Sequence, residues 1–316
     1  MEKTKLGNTN IDVAPLALGT NVFGWTIDEQ QSFRILDNFV HAGCNLIDTA
    51  DSYSRWATGN KGGESETIIG NWLKKTGKRK DIVLATKVGA DMGDGKKGLS
   101  KAYILKAAED SLKRLQTDHI DLYQSHFDDG TAPVEETMEA YAQLVKDGKV
   151  IAVGASNISP ERLKESIDIS HSKGYPAYQT LQPQYNLYER EGYEKNYEQI
   201  CIENNLGVIC YFPLASGFLT GKYRTESDLS KSVRGEGIRK YMNARGMTIL
   251  NALDEVATEY EATAAAIALA WLIARKSVTA PIASATNTDQ LKDLISAASI
   301  ALDEDALYRL NTASNY

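Results

Sequence analysis

A closed (β/α)₈ barrel is the fold class that this sequence predicts, and three observations carry the expectation. Apolar runs of strand length recur eight times, a helical pattern follows each run, and no low-complexity linker or composition shift divides residues 1–316 into more than one domain. A doubly wound open sheet shares the alternation, but eight units in a chain somewhat longer than about 250 residues favour the closed form.

The elements follow in chain order. "VAPLALGT" at 13–20 reads as the first strand, "NLIDTA" from 45 as the second and "DIVLATKV" from 81 as the third. "LSKAYILKAAEDSLKRL" comes next, a helix with Ser100 as its cap and Leu105, Ala108, Leu112 and Leu115 on one face. "HIDLYQSH" from 119 is the fourth strand. The helix within 131–148 has Pro133 near its first position, a stripe of Val134, Thr137, Met138, Tyr141, Leu144 and Val145, and Gly148 to end it. "KVIAVGAS" from 149 is the fifth strand, and Ser159, Pro160 and Gly174 punctuate the next helix as cap, first residue and stop. "YQTLQPQYN" from 178, "LGVICYFPL" from 206 and "TAPIASA" from 279 complete the eight. All eight strands read as buried on both faces, as parallel strands under helices must be. The longest irregular stretch, 214–246, is expected to be a functional loop.

A net charge of −7 and a pI near 5.3 disfavour a nucleic-acid partner, which needs clustered Lys and Arg. The start "MEKTKLGNTN" lacks an apolar leader and no run of 18 apolar residues occurs, so a cytoplasmic protein without a membrane partner is expected. Cys44, Cys201 and Cys210 sit in apolar stretches without metal or redox spacing and read as buried thiols. The four histidines form no HxH or HExxH pair, so no metal site is indicated.

In such barrels chemistry gathers where strands end at the C-terminal mouth. The second strand ends on Asp48, with Tyr53 in the loop beyond; the third ends on Lys87; the fourth on His126. A phenol with a pKa near ~10 donates a proton poorly at neutral pH unless a cation stabilises its phenolate. Lys87 can serve as that cation, Asp48 can hold Lys87, and His126 can hydrogen-bond the phenol or a substrate oxygen. The set suits protonation of a carbonyl oxygen while hydride reaches the carbon. Asp51 and Ser52 in the same loop read as capping residues. Taken singly, each of the four has a duller explanation as cap, snorkelling lysine or satisfied tyrosine.

With these residues, "NLIDTADSYSRWATGNKGGESETIIGNWL", "LATKVG", "DLYQSH", "VGASNIS", "QPQYNL" and "YFPLASGFLTGKY", the chain resembles the aldo-keto reductase family over most of its length. The resemblance implies a TIM barrel with an N-terminal hairpin and long loops on its C-terminal face, a catalytic tetrad of Asp48, Tyr53, Lys87 and His126, and Tyr53 as general acid in reduction and base in oxidation. It implies a nicotinamide cofactor held by Thr20, Asn21, Asp48, Ser156, Asn157 and Gln182, with Tyr211 stacked on the nicotinamide. Pro213, Leu214, Ser216, Gly217 and Lys222 match the pyrophosphate loop, Arg234 a basic contact to the adenosine phosphate side, and Ser284, Thr286 and Gln290 the adenosine end. Thr286 stands where the family commonly has Arg or Lys for the 2′-phosphate, and Leu294 replaces an adenine-contacting Asn. NADP(H) is the better expectation, with NAD(H) open.

"GDGKKG", Gly93–Gly98, satisfies G-x-G-x-x-G, but it starts several residues past the third strand and is charged, so an exposed loop is expected. Trp25, Trp56, Phe127, Tyr53 and His126, with Phe218 as a further wall, suit a planar or sugar-like carbonyl substrate. The rival from another class is a nicotinamide-binding regulatory subunit with little turnover.

Overall fold

The computed structural model describes residues 1–231 and 235–316. An antiparallel hairpin of β1 (Thr4–Lys5) and β2 (Asp12–Val13) comes first. Eight parallel strands follow: β3 (Ala17–Gly19), β4 (Leu46–Asp48), β5 (Val83–Val88), β6 (Ile120–Ser125), β7 (Val150–Ser156), β8 (Thr180–Gln182), β9 (Gly207–Val208) and β10 (Ile282–Ala283). They lie side by side in the order β10-β3-β4-β5-β6-β7-β8-β9. Ala280 N donates to Val208 O at 3.2 Å and Ile282 N to Cys210 O at 2.9 Å, which joins the two ends of the sheet into a ring. All eight sequence-derived strands are present, each shorter than its apolar run.

The helices are α1 (Glu29–His41), α2 (Glu64–Thr76), α3 (Lys101–Leu115), α4 (Val134–Lys146), α5 (Pro160–Lys173), α6 (Glu191–Asn196), α7 (Glu198–Glu203), α8 (Gly235–Ile238), α9 (Ala244–Glu259), α10 (Ala264–Ile273), α11 (Thr288–Ser296) and α12 (Glu304–Ala313). Helix α5 starts and stops as its punctuation predicts: Ser159 Oγ accepts from Arg162 N at 3.3 Å, and Gly174 closes the last turn at φ +68°. Pro133 stands one position earlier than expected, at the cap of α4. Ser100 caps α3 by position alone, with no side-chain hydrogen bond; Ile104 is fully buried, and Leu105 packs half-buried against the core. Helix α10 is buried on every side from Ala264 to Leu272, and no single helix among the described residues is long and apolar enough to cross a membrane.

Two apolar layers organise the molecule. The larger lies between strands and helices. The smaller fills the ring: Leu6 and Val13 of the hairpin join Leu46, Val83, Leu122 and Ile209 there. The hairpin is pressed onto the barrel, because a Cβ at Gly7 (φ +59°) would lie 2.1 Å from Gln179 O. The described residues of the stretch 214–246 are not a solvated excursion; short 3₁₀ turns occur at Ala215–Thr220, Glu226–Lys231 and Arg239–Tyr241, and Phe218, Leu219, Tyr223, Ile238 and Tyr241 are buried. Gly93–Gly98 forms a loop after β5, closed by Met92 N to Lys96 O and Lys96 N to Gly93 O.

Candidate active site

Strand register places the site in one layer. Gly19 pairs with Asp48, Lys87 with Gln124, and Ser156 with Gln182, all at the C-terminal ends of their strands. Lys87 and Asp48 are fully buried. The ammonium spends its three donors on Asp48 Oδ2 at 2.5 Å, Tyr53 Oη at 2.8 Å and Thr49 O at 2.9 Å, so no proton of the cation is left unbonded. Tyr53 Oη donates to Asp48 Oδ2 at 3.2 Å. The other carboxylate oxygen, Oδ1, accepts from Gln182 Nε2 at 2.9 Å and Gln124 Nε2 at 3.3 Å. His126 stands edge-on to the Tyr53 ring, centroids 5.9 Å apart, and its Nδ1 lies 3.4 Å from Ser52 Oγ.

The electrostatics of this group are those of a desolvated cluster. Burial, reinforced by the Asp48 carboxylate, holds the Tyr53 phenol well above its ordinary pKa. Burial outweighs the ammonium 2.8 Å away in the resting phenol, so the stabilisation expected from Lys87 belongs to the phenolate. Burial likewise pulls the Lys87 ammonium down, with Asp48 opposing. His126 is pushed well below the ordinary imidazole value by burial and then by Lys87, so it is neutral at neutral pH. If Ser52 is the donor in its contact with Nδ1, the ring carries its proton on Nε2.

The neighbouring loop residues depart from their expected capping roles. Ser52 addresses His126, and Asp51, 2% exposed, leaves Oδ1 without a hydrogen-bond partner. Burial and then Glu66 push the Asp51 carboxyl up to about 8, against the pull of Arg114.

A cleft of about 1070 Å³ runs across the mouth from Tyr53, Trp56, His126 and Phe127 to Thr286 and Gln290, wide enough for a large ligand. Asn21, Ser156, Asn157, Gln182, Tyr211, Pro213, Leu214, Ser216, Gly217, Lys222 and Ser284 line it as expected. Gly19 leaves its floor open, since a Cβ there would lie 2.8 Å from Ser284 Oγ. After β9 the backbone turns left-handed at Ala215, Ser216 and Gly217 (φ +47°, +59° and +102°). Such a turn makes the backbone concave, with Ala215 N and Gly217 N held by Phe212 O and Leu214 O. Asn157 (φ +45°) and Phe212 (φ +52°), which also line the cleft, are left-handed as well. These features fit a dinucleotide: a concave backbone and Lys222 for phosphates, with amides and hydroxyls at either end.

Several expected contacts are engaged differently. Gln182 donates to Asp48, and Ser156 Oγ to Gln182 O at 2.8 Å; Asn157 bridges His126 O and the Tyr211 hydroxyl. Thr20 is fully buried behind the cleft, where its hydroxyl bonds Asp48 O at 2.9 Å. Trp25 does not line the cleft; it stands edge-on behind Trp56, centroids 5.6 Å apart. Phe218 is buried against Tyr241. The hydroxyl of Thr286 turns to Gln290 Oε1 at 3.0 Å. Arg234 lies outside the described residues.

Sequence reasoning missed Gln124, Arg55, Asp91, Phe212 and Lys231, all but Gln124 lining the cleft. Gln124 had a signal: an amide two residues before His126 in a strand buried throughout.

A parallel barrel with a phenol, an ammonium and a carboxylate locked together under a long cleft defines a class, the barrel oxidoreductases. The chain belongs to the aldo/keto reductase family, whose model matches residues 15–315, a family of oxidoreductases that use nicotinamide cofactors. It is 37% identical to an uncharacterized oxidoreductase, YrpG, of Bacillus subtilis over 98% of this chain and 95% of that one. An aldo-keto reductase of Schizosaccharomyces pombe, yakc [NADP(+)], is 29% identical over 98% and 90%. A probable voltage-gated potassium channel subunit beta of Oryza sativa subsp. japonica is 30% identical over 92% and 89%.

Proposed function

We propose that the protein reduces the carbonyl group of an aldehyde, ketone or sugar, with Tyr53 as general acid. A bound reduced nicotinamide supplies the hydride. The protonated phenol is the form that reduction needs at the start, and burial keeps it so. As the carbonyl oxygen gains charge it becomes a far stronger base than a phenolate, and the Tyr53 proton moves to it. The phenolate left behind lies 2.8 Å from the Lys87 ammonium, and Asp48 keeps that ammonium in place. His126, neutral, offers its Nε2 proton to the same oxygen. In oxidation Tyr53 acts as the base.

NADP(H) is proposed in preference to NAD(H): Lys222 and Lys231 line the cleft, and the fission-yeast relative carries NADP(+) in its name. Small-molecule substrates in the cytoplasm suit an acidic chain whose three cysteines are buried and unpaired. The relative named as a channel subunit keeps a regulatory role in view, but the bonded set of Asp48, Tyr53 and Lys87 supports turnover.

The observation that carries the reading is Lys87 Nζ held between Asp48 and Tyr53. Oxidation of NADPH and of NADH, each followed with a panel of aldehydes, tests it. Tyr53→Phe is expected to lower turnover by about 1000-fold while cofactor binding, read by fluorescence titration, is retained. Wild-type turnover in that variant would overturn Tyr53 as the acid; saturable cofactor binding with no turnover of any aldehyde would favour the regulatory reading.

A further inference from the structure

Arg55 follows the catalytic phenol by two residues and lines the substrate end of the cleft with Trp56, His126 and Phe127. Every other described arginine has a hydrogen-bond or ion-pair partner: Arg79 has Asp121, Arg114 has Glu66, and Arg162 has Asp128. The Arg55 side chain has neither among the described residues, its backbone N–H alone bonding Ser52 O. Asp91, a carboxylate of the same cleft, turns Oδ1 to its own loop and accepts from Gly93 N at 2.7 Å. The guanidinium lies over that loop in space left by a glycine, since a Cβ at Gly93 would come within 2.9 Å of Arg55 Nη2. The walls beside it are aromatic and open to solvent, with Trp56 52% and Phe127 46% exposed. His126 holds no charge at neutral pH, and the Lys87 ammonium is spent below the surface.

We infer that Arg55 is the specificity-determining cation of the substrate pocket, and that the preferred substrate is a carbonyl compound bearing an oxyanion, carboxylate or phosphate, on the end away from the reacting carbon. The inference rests on the carbonyl-reductase reading. Its physical basis is an unspent planar fork of donors, which pairs bidentately with carboxylate or phosphate and does so best beside low-dielectric walls. The aromatic faces hold the body of the substrate, Arg55 its charged end, and Tyr53 meets the carbonyl.

The test compares matched pairs: 4-carboxybenzaldehyde with benzaldehyde, and glycolaldehyde phosphate with glycolaldehyde, in the wild type, Arg55→Ala and Arg55→Lys. The anionic member is expected to have a kcat/KM at least about tenfold higher in one pair or both, the larger ratio telling carboxylate from phosphate. That ratio should fall to near one in Arg55→Ala and survive in part in Arg55→Lys. Tryptophan-fluorescence titration with 4-carboxybenzyl alcohol and benzyl alcohol reads the same preference without turnover. A ratio near one in the wild type, by rates or by titration, overturns the assignment, as does a ratio that survives Arg55→Ala. Absence of turnover with every aldehyde sinks the reductase reading instead, and the titration then still decides on Arg55.

Discussion

Lys87 persists as a wholly buried cation because each of its protons has an acceptor, and Asp48 as its anion because four donors share its two oxygens. Removing either partner would strand the other, at a cost of about 3–5 kcal/mol. Asp51, close by, has no such company. A carboxyl in an unfolded chain titrates near ~3.9, whereas Asp51 keeps its proton up to about 8. Between those values the native state binds the extra proton, so stability falls as pH rises, by about 1.4 kcal/mol per unit for this group, and levels off above the folded value. Asp51→Asn is therefore expected to match the wild type near pH ~4 and to exceed it near pH ~8 by a few kcal/mol. Urea midpoints at both values check this; a gap that does not widen with pH would argue for an ionised Asp51.

Among the elements, legibility followed how local the cause was. Ser159, Pro160 and Gly174 bound α5 through interactions within a few residues, and they were readable in the letters. The tetrad was readable because strand ends in a parallel barrel share one rim. Gln124 and Gln182 were harder, since their bonds to Asp48 span 76 and 134 residues; nothing local marks a glutamine as a carboxylate's donor. Arg55 looked like any exposed loop arginine until the Gly93 turn was seen beneath it. At the start of α11, Thr286 gives both its N–H and its hydroxyl to Gln290 Oε1, and Asp293 lines the same part of the cleft. None of Thr286, Gln290 and Asp293 supplies the charge that a 2′-phosphate calls for. Thr286→Arg should tighten NADPH by about tenfold relative to NADH, the worth of one charge-assisted hydrogen bond. Dissociation constants for the two cofactors measure it, and equal changes in both would refute it.

At the scale of the molecule, eight strand-length runs were enough to give the closed barrel, while the way its seam is made was not legible: β9 and β10 are short, and Ala280 and Cys210, which lie in the runs but outside those strands, help to join the ring. The hairpin's part in the interior was equally hidden, because Leu6 is a single apolar residue among polar ones and Val13 reads as the start of the first strand run. Leu6→Ala, which empties a fully buried position, should cost about 2–5 kcal/mol. It lies at the far end from Tyr53, so kcat and KM should hold while the thermal midpoint drops; a loss of kcat at full stability would contradict that separation.

The same stopper has an effect on the chemistry that no single residue exerts. With the ring filled from below by Leu6, Val13 and their neighbours, bulk solvent approaches the phenol from above only. Whatever settles over Tyr53 becomes its roof and sets the local permittivity, so the proton affinity of the empty vessel differs from that of the filled one. The ligand completes the medium in which it reacts.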